Sequence, residues 1–306
     1  MAGVTDLAFR LLVKRFGVDL VFTEMINARA LLYGNRESRT LMKVAAEERP
    51  VAVQIFGSEP AVMARAARSA EEQGADIIDI NMGCPTPKIV KNGEGAALLR
   101  DPDLAARIVA SVVQSVRIPV TVKMRRGWDE ANINGPVVAR RVAEEGAAAV
   151  TMHGRTRSQG YSGRANWAVV AEVCQLLSIP VFGNGDIRSP EEAEQRIAET
   201  GCAGVMVGRA ALGNPWLPGR IAHYLATGEI LSPPPKAEVI RVALEHLDLL
   251  SQLKGERRAV LEMRKHAAWY IKGWPGAAQV REEINRCERR GRMEEVLYQF
   301  NRSQQT

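Results

Sequence analysis

Through residues 19–208 the chain repeats one pattern: an apolar run ends in glycine or a polar residue, a loop follows, and an amphipathic stretch rich in Ala and Arg comes next. The apolar runs at 19–26, 51–57, 77–82, 119–125, 148–153, 180–184 and 204–208 are short and rich in Val and Ile, the signature of buried strands. Between them, residues 59–73, 102–115, 135–145 and 190–200 carry helical periodicity. The last of these begins Ser189-Pro190-Glu191-Glu192: an N-cap, a proline at the first helical position and acids in the first turn. Strands alternating with helices predict parallel pairing through right-handed crossovers.

A polar residue closes nearly every strand: Glu24, Gln54, Asn81, Lys123, His153, Asn184 and Arg209. An open doubly wound sheet would carry a G-x-G-x-x-G turn after its first strand, and none is present. In a barrel the strand ends converge on one mouth, where sites form. The pattern therefore predicts an α/β fold, a (β/α)8 TIM barrel lacking its first strand. After Leu231 the run Ser-Pro-Pro-Pro-Lys is a stiff break, and from 236 on only helical spacing recurs, in 239–253 and 259–271. The expected division is a catalytic barrel over 1–235 and a small all-helical domain over 236–306. That tail holds 14 Lys and Arg against 10 Asp and Glu, so most of the net charge of +6 lies in it.

Composition changes this picture little. Aromatic residues are only 5% of the chain, so Ala, Val, Ile and Leu build the core, as suits helices on a parallel sheet. The four cysteines, at 84, 174, 202 and 287, show no C-x-x-C spacing, which argues against an iron–sulfur or structural zinc site. Cys174 and Cys202 sit in apolar surroundings and read as packing residues. Nothing resembles a signal peptide or a spanning helix; the expectation is a cytoplasmic monomer with no membrane partner.

The chemistry concentrates at the strand ends. Ile77-Ile-Asp-Ile-Asn-Met-Gly-Cys84 runs a strand into a glycine and a thiol, with Pro85 and Pro87 stiffening the exit and 92–95 forming a loop expected to move. Cys84 presents a thiol to a ligand or is a small buried hydrophobe. Asn184-Gly185-Asp186 and Gly208-Arg209 fall where barrels bind phosphate, or are plain turns. Lys123 lies inside a buried strand and needs an anionic partner: a cofactor, Glu24 or Asp186. His153 is a base, a ligand to a ribityl or phosphate group, or a core histidine. Three successive loops carry Lys88, Lys91, Arg125, Arg126, Arg155, Arg157 and Arg164, an excess that suits a polyanionic substrate.

These residues resemble the tRNA-dihydrouridine synthases, and within them the bacterial B-type branch. Asp79 through Pro85, continuing past Lys88 to Ala96, is similar to the family's active-site signature. Met1 to Asp6 is similar to its first barrel-mouth motif, and Met263-Arg-Lys-His-Ala267 to its helical domain. The resemblance implies FMN at the mouth, with Met1 and Ala2 beside the ring, Gln54 at its pyrimidine edge and Lys123 near N1 and O2. His153, Asn184, Gly185, Asp186, Gly208 and Arg209 would complete the cofactor site; Asn81, Arg125 and Arg155 would contact substrate. It also implies NADPH, or NADH, as reductant, a tRNA uridine as substrate, and Cys84 as the acid that protonates C5, a thiol that should stay protonated. Two rival readings are a flavin barrel acting on a small pyrimidine, of the dihydroorotate dehydrogenase kind, and a noncatalytic RNA-binding protein. Because Met1 falls inside a motif that follows a complete first strand in the family, further residues are expected upstream in the natural protein.

Overall fold

The computed structural model describes residues 1–304. They form two compact units: Met1–Arg10 with Asp19–Gly208, and Leu11–Val18 with the chain from Arg209 on.

The first unit is built on one parallel sheet. Strands β1 (Val21–Phe22) and β2 (Ile26–Asn27) are two lengths of one interrupted strand, since both pair with β3 (Val51–Phe56), at Val21↔Val51 and Ile26↔Ile55. The path continues through β4 (Ile77–Met82), β5 (Val120–Arg125), β6 (Ala149–His153), β7 (Val181–Asn184) and β8 (Gly204–Met206). That makes seven strand positions in sequential order, and among the described residues no pairing joins β8 to β1. The sheet is TIM-barrel-like and open along one line. Helices Pro60–Glu72, Pro102–Val113, Gly135–Glu144, Ala168–Leu176 and Pro190–Thr200 make the crossovers. Their ends follow local rules: Asp101 accepts from the Leu104 N–H, Ser189 from the Glu192 N–H, and Gly201 closes the last helix at φ 69°.

Strand alternation sorts the side chains into two faces. Ile78, Ile80, Met82, Val120, Val122, Met124, Val150 and Met152 form one face, buried where the helices pack. The other carries Gln54, Asp79, Asn81, Thr121, Lys123, Arg125, Thr151 and His153, a polar row along the interior of the curl. The 92–95 loop joins the helices Pro87–Lys91 and Gly95–Arg100, with Asn92 exposed and Glu94 buried, and just beyond it the backbone N–H of Ala96 donates to the Cys84 carbonyl at 3.1 Å.

The second unit is helical, with Leu217–Thr227, Lys236–Lys254, Glu256–Tyr270, Ala277–Arg286 and Arg290–Ser303. Its core includes Ile240, Leu247, Leu250, Met263, Ile284, Leu297 and Phe300. Backbone approaches are tight: a Cβ on Gly219 would stand 1.7 Å from the Phe16 carbonyl oxygen, and one on Gly213 2.3 Å from the backbone of Trp269. Among the described residues no helix is long and apolar enough to cross a membrane.

Candidate active site

Asp79 is the centre of a hydrogen-bonded chain on the polar face. Its Oδ1 accepts from Thr121 Oγ1 at 2.6 Å and its Oδ2 from Gln54 Nε2 at 2.6 Å. Gln54 Oε1 in turn accepts from Asn81 Nδ2 at 2.8 Å. Asn81 Oδ1 accepts the backbone N–H groups of Gly83, at 3.1 Å, and Cys84, at 2.9 Å. A buried carboxylate is thus wired through two amides to the loop that carries the thiol.

Burial pushes the Asp79 carboxyl up to about 6, against the opposing pull of the hydrogen bonds from Thr121 and Gln54 and the charge of Lys123. Burial likewise lowers Lys123 to about 7; the charge of Arg125 adds to that and the charge of Asp79 resists it. Of the acids, it is Asp79 whose charge acts on Lys123, rather than Glu24 or Asp186. Glu24 accepts the Gly3 N–H, which fastens the Met1–Asp6 turn, with Met1 and Ala2, to the break between β1 and β2. Asp186 pairs with Arg155 at 2.7 Å. Asp79 is a site residue that the sequence signals only faintly, as an acid inside Ile-Ile-Asp-Ile on the same alternation as Asn81.

The Cys84 loop is held from several sides. Besides Asn81 and Ala96, Arg125 Nε donates to the Gly83 carbonyl at 2.8 Å. Arg125 Nη1 donates to the carbonyls of Thr156 and Gly160, both at 2.8 Å, so one guanidinium ties this loop to the one after β6. Gly95, at φ 60°, lies so close that a Cβ there would stand 3.0 Å from the Cys84 carbonyl oxygen. Cys84 itself is half-buried, with Sγ 3.2 Å from Thr86 Oγ1.

A second cluster sits on β6 and β7. His153 is buried and packs on Gly185, where a Cβ would meet its ring at 3.1 Å. Asn184 Nδ2 donates to the Met206 carbonyl at 2.8 Å. Asp186, at φ 59°, accepts from Arg155 Nη2 and from the Ala165 N–H. Arg155 is 2% exposed; it also donates to the carbonyls of Ser162 and Gly163, and its Nη1 is buried with no hydrogen-bond partner among the described residues. Gly208 faces open space, since a Cβ there meets nothing within 4 Å. Arg209 opens the short helix Arg209–Ala211 of the second unit. The basic loop residues divide: Arg125, Arg126 and Arg155 are buried, whereas Lys88, Lys91 and Arg164 are exposed.

A parallel barrel-like sheet with a buried acid–lysine pair and a thiol at its carboxyl ends is the framework of a TIM-barrel-like enzyme. The dihydrouridine synthase (Dus) family model matches residues 1–305. The chain belongs to that family. It is 48% identical over 288 residues to tRNA-dihydrouridine synthase B of Xanthomonas axonopodis pv. citri (strain 306), spanning 94% of this chain and 87% of the relative. Identity is 46% to tRNA-dihydrouridine synthase B of Pseudomonas aeruginosa, again over 94% and 87% of the two chains. To the probable tRNA-dihydrouridine synthase 1 of Synechocystis it is 47%, over 93% and 80%. Among solved structures, a histamine dehydrogenase from Rhizobium sp. 4-9 superposes with a TM-score of 0.53 at 14% identity, over 79% of this chain and 46% of that one, a likeness of fold.

Proposed function

We propose that the enzyme reduces the C5=C6 bond of specific tRNA uridines to 5,6-dihydrouridine in the cytoplasm, with FMN as cofactor and NADPH, or NADH, as reductant. The observation that carries this reading is the wiring of the Cys84 loop to the buried acid Asp79, within a chain of the dihydrouridine synthase family.

The residues present suit a flavin mononucleotide. Lys123 offers a buried cation on the polar face, Gly208 leaves space, and the orphaned Nη1 of Arg155 beside Asp186 suits a nearby anion. Lys123, Gln54, His153 and the 184–186 turn would hold the group, with Met1 and Ala2 beside it. Bound FMN would supply the hydride for C6 of the uracil and be recharged by the nicotinamide.

Cys84 gives the proton to C5, and solvent then restores the thiol. Asn81 sets the thiol's height by holding two successive backbone N–H groups, and its remaining amide hydrogen can reach the uracil. Arg125 keeps the loop from swinging away. The Lys123 ammonium offsets the negative charge that accumulates on reduction, and Asp79 keeps that ammonium in place. A uridine stacked in folded RNA must leave its stack to reach these groups. The helical region 236–306, with its net positive charge, would hold the phosphates.

Mass spectrometry of tRNA from cells with and without the protein tests the reading. A dihydrouridine that disappears with the protein and returns with its gene is expected; an unchanged set of dihydrouridines contradicts it.

A further inference from the structure

We propose, on the reading that the substrate is tRNA, that Arg100, Trp128 and Arg157 form a rigid grip for the RNA phosphodiester backbone at the rim of the site. In a parallel sheet all carboxyl-end loops emerge together. Arg100 ends the helix that follows the Cys84 loop, Trp128 lies in the loop after β5, and Arg157 in the loop after β6. The guanidinium carbon of Arg100 is 4.9 Å from the centroid of the Trp128 ring, and that of Arg157 is 4.6 Å.

Two cations share one indole, and among the described residues neither pairs with a carboxylate. The acids nearby are already engaged: Glu130 pairs with Arg126, and Asp129 Oδ1 accepts from the Ala131 N–H and from Asn132 Nδ2. Nε of Arg157 is buried with no hydrogen-bond partner among the described residues. An anion drawn to this pair would relieve their mutual repulsion and meet forked N–H donors already oriented by stacking.

The loops that carry these groups are locked together. The backbone N–H of Arg157 donates to the Gly127 carbonyl at 2.9 Å. The Trp128 carbonyl accepts from both the N–H of Ser158, at 2.9 Å, and its Oγ, at 3.0 Å. Asn134 Nδ2 donates to the Leu99 carbonyl, beside Arg100. Such a platform loses little conformational freedom when RNA arrives. Phosphate is the chemistry it fits, because the donors are charged forks and the ring between them is already covered by cations.

The test is the salt dependence of binding to an unmodified tRNA transcript, for the wild-type holoenzyme and the Arg100→Gln/Arg157→Gln variant. Loss of two phosphate contacts should weaken binding about tenfold or more at moderate salt and flatten the slope of log Kd against log salt by roughly 1.4. Flavin absorbance and melting temperature check that the variant is folded; if it is not, Arg100→Glu alone, at an exposed position, serves instead. Arg→Lys at both sites should recover part of the slope. An unchanged affinity and slope overturns the grip, as does weaker binding with the wild-type slope. A wild-type protein that neither binds nor modifies the transcript would instead overturn the tRNA reading itself.

Discussion

Both units bury ionisable groups, and they treat them in opposite ways. On the strands of the first unit, Asp79 and Lys123 are drawn toward neutral pH from opposite directions, and hydrogen bonds join Asp79 to Thr121 and Gln54 and, through Gln54, to Asn81. In the helical unit, His266 and His246 meet edge to face, with ring centroids 4.6 Å apart, inside a cage that includes Trp269 and Tyr270. Burial, reinforced by His246, Lys265 and Lys254, lowers His266 to about 2, and burial pushes Tyr270 well above its ordinary value. The first arrangement keeps charge available at the mouth of a sheet. The second removes it for the sake of packing. Burial alone thus does not mark a reactive group; burial together with an opposite charge and a network leading to a thiol does.

The strongest way to break the comparison is Cys84→Ala. It should cost about 10²–10⁴-fold in dihydrouridine formation while flavin and tRNA binding persist. Near-normal turnover would remove the thiol from the mechanism.

On the helical side, Leu247→Ala should cost about 2–5 kcal/mol of stability by opening a cavity in a fully buried position. Denaturant melts measure this, and a loss under 1 kcal/mol would mean that this core is looser than its packing implies.

The histidine cage gives a pH test. The unfolded chain titrates His266 near 6.5, whereas the folded chain keeps it neutral down to about 2. The unfolded state therefore takes up the proton first, and stability falls as the pH drops below 6.5, by at most about 1.4 kcal/mol per unit. His266→Phe should reduce that slope; an identical acid profile would show that His266 does not govern it.

Lys123→Met sharpens the contrast with the smallest effect on folding. Between pH 7 and 10.5 the unfolded state binds the lysine proton more readily than the folded state does, so Lys123 costs stability toward the lower pH. At pH 8 the variant should melt no earlier than the parent and yet be a poor catalyst. A variant that melts clearly earlier would make Lys123 structural.

Much of this was legible in the sequence because it is local. The helix Pro190–Thr200 has the bounds its caps predict, and Ile77–Met82 ends in a Gly-Cys turn as read. Periodicity reads the interrupted first strand as continuous, because it does not show that the Thr23 hydroxyl takes the Gln54 N–H of the neighbouring strand or that Glu24 accepts the Gly3 N–H. What escaped is tertiary. Arg125 looks in the sequence like a loop cation for substrate; only the fold brings the carbonyls of Gly83, Thr156 and Gly160 within reach of its guanidinium. Nothing local in Leu11–Val18 shows that it packs with the helical unit, where the Phe16 ring lies 5.3 Å from that of Trp216. Asp79 escapes local pattern because an acid between isoleucines has no local partner, and Thr121 is supplied by the next strand.

The most direct test of the account is reconstitution: purified protein, FMN, NADPH and an unmodified tRNA transcript, with dihydrouridine counted by mass spectrometry. The account predicts its formation by the wild-type enzyme and near-total loss in Cys84→Ala with flavin still bound. A flavin-loaded wild-type protein that oxidises NADPH, binds the transcript and leaves every uridine unreduced would contradict it.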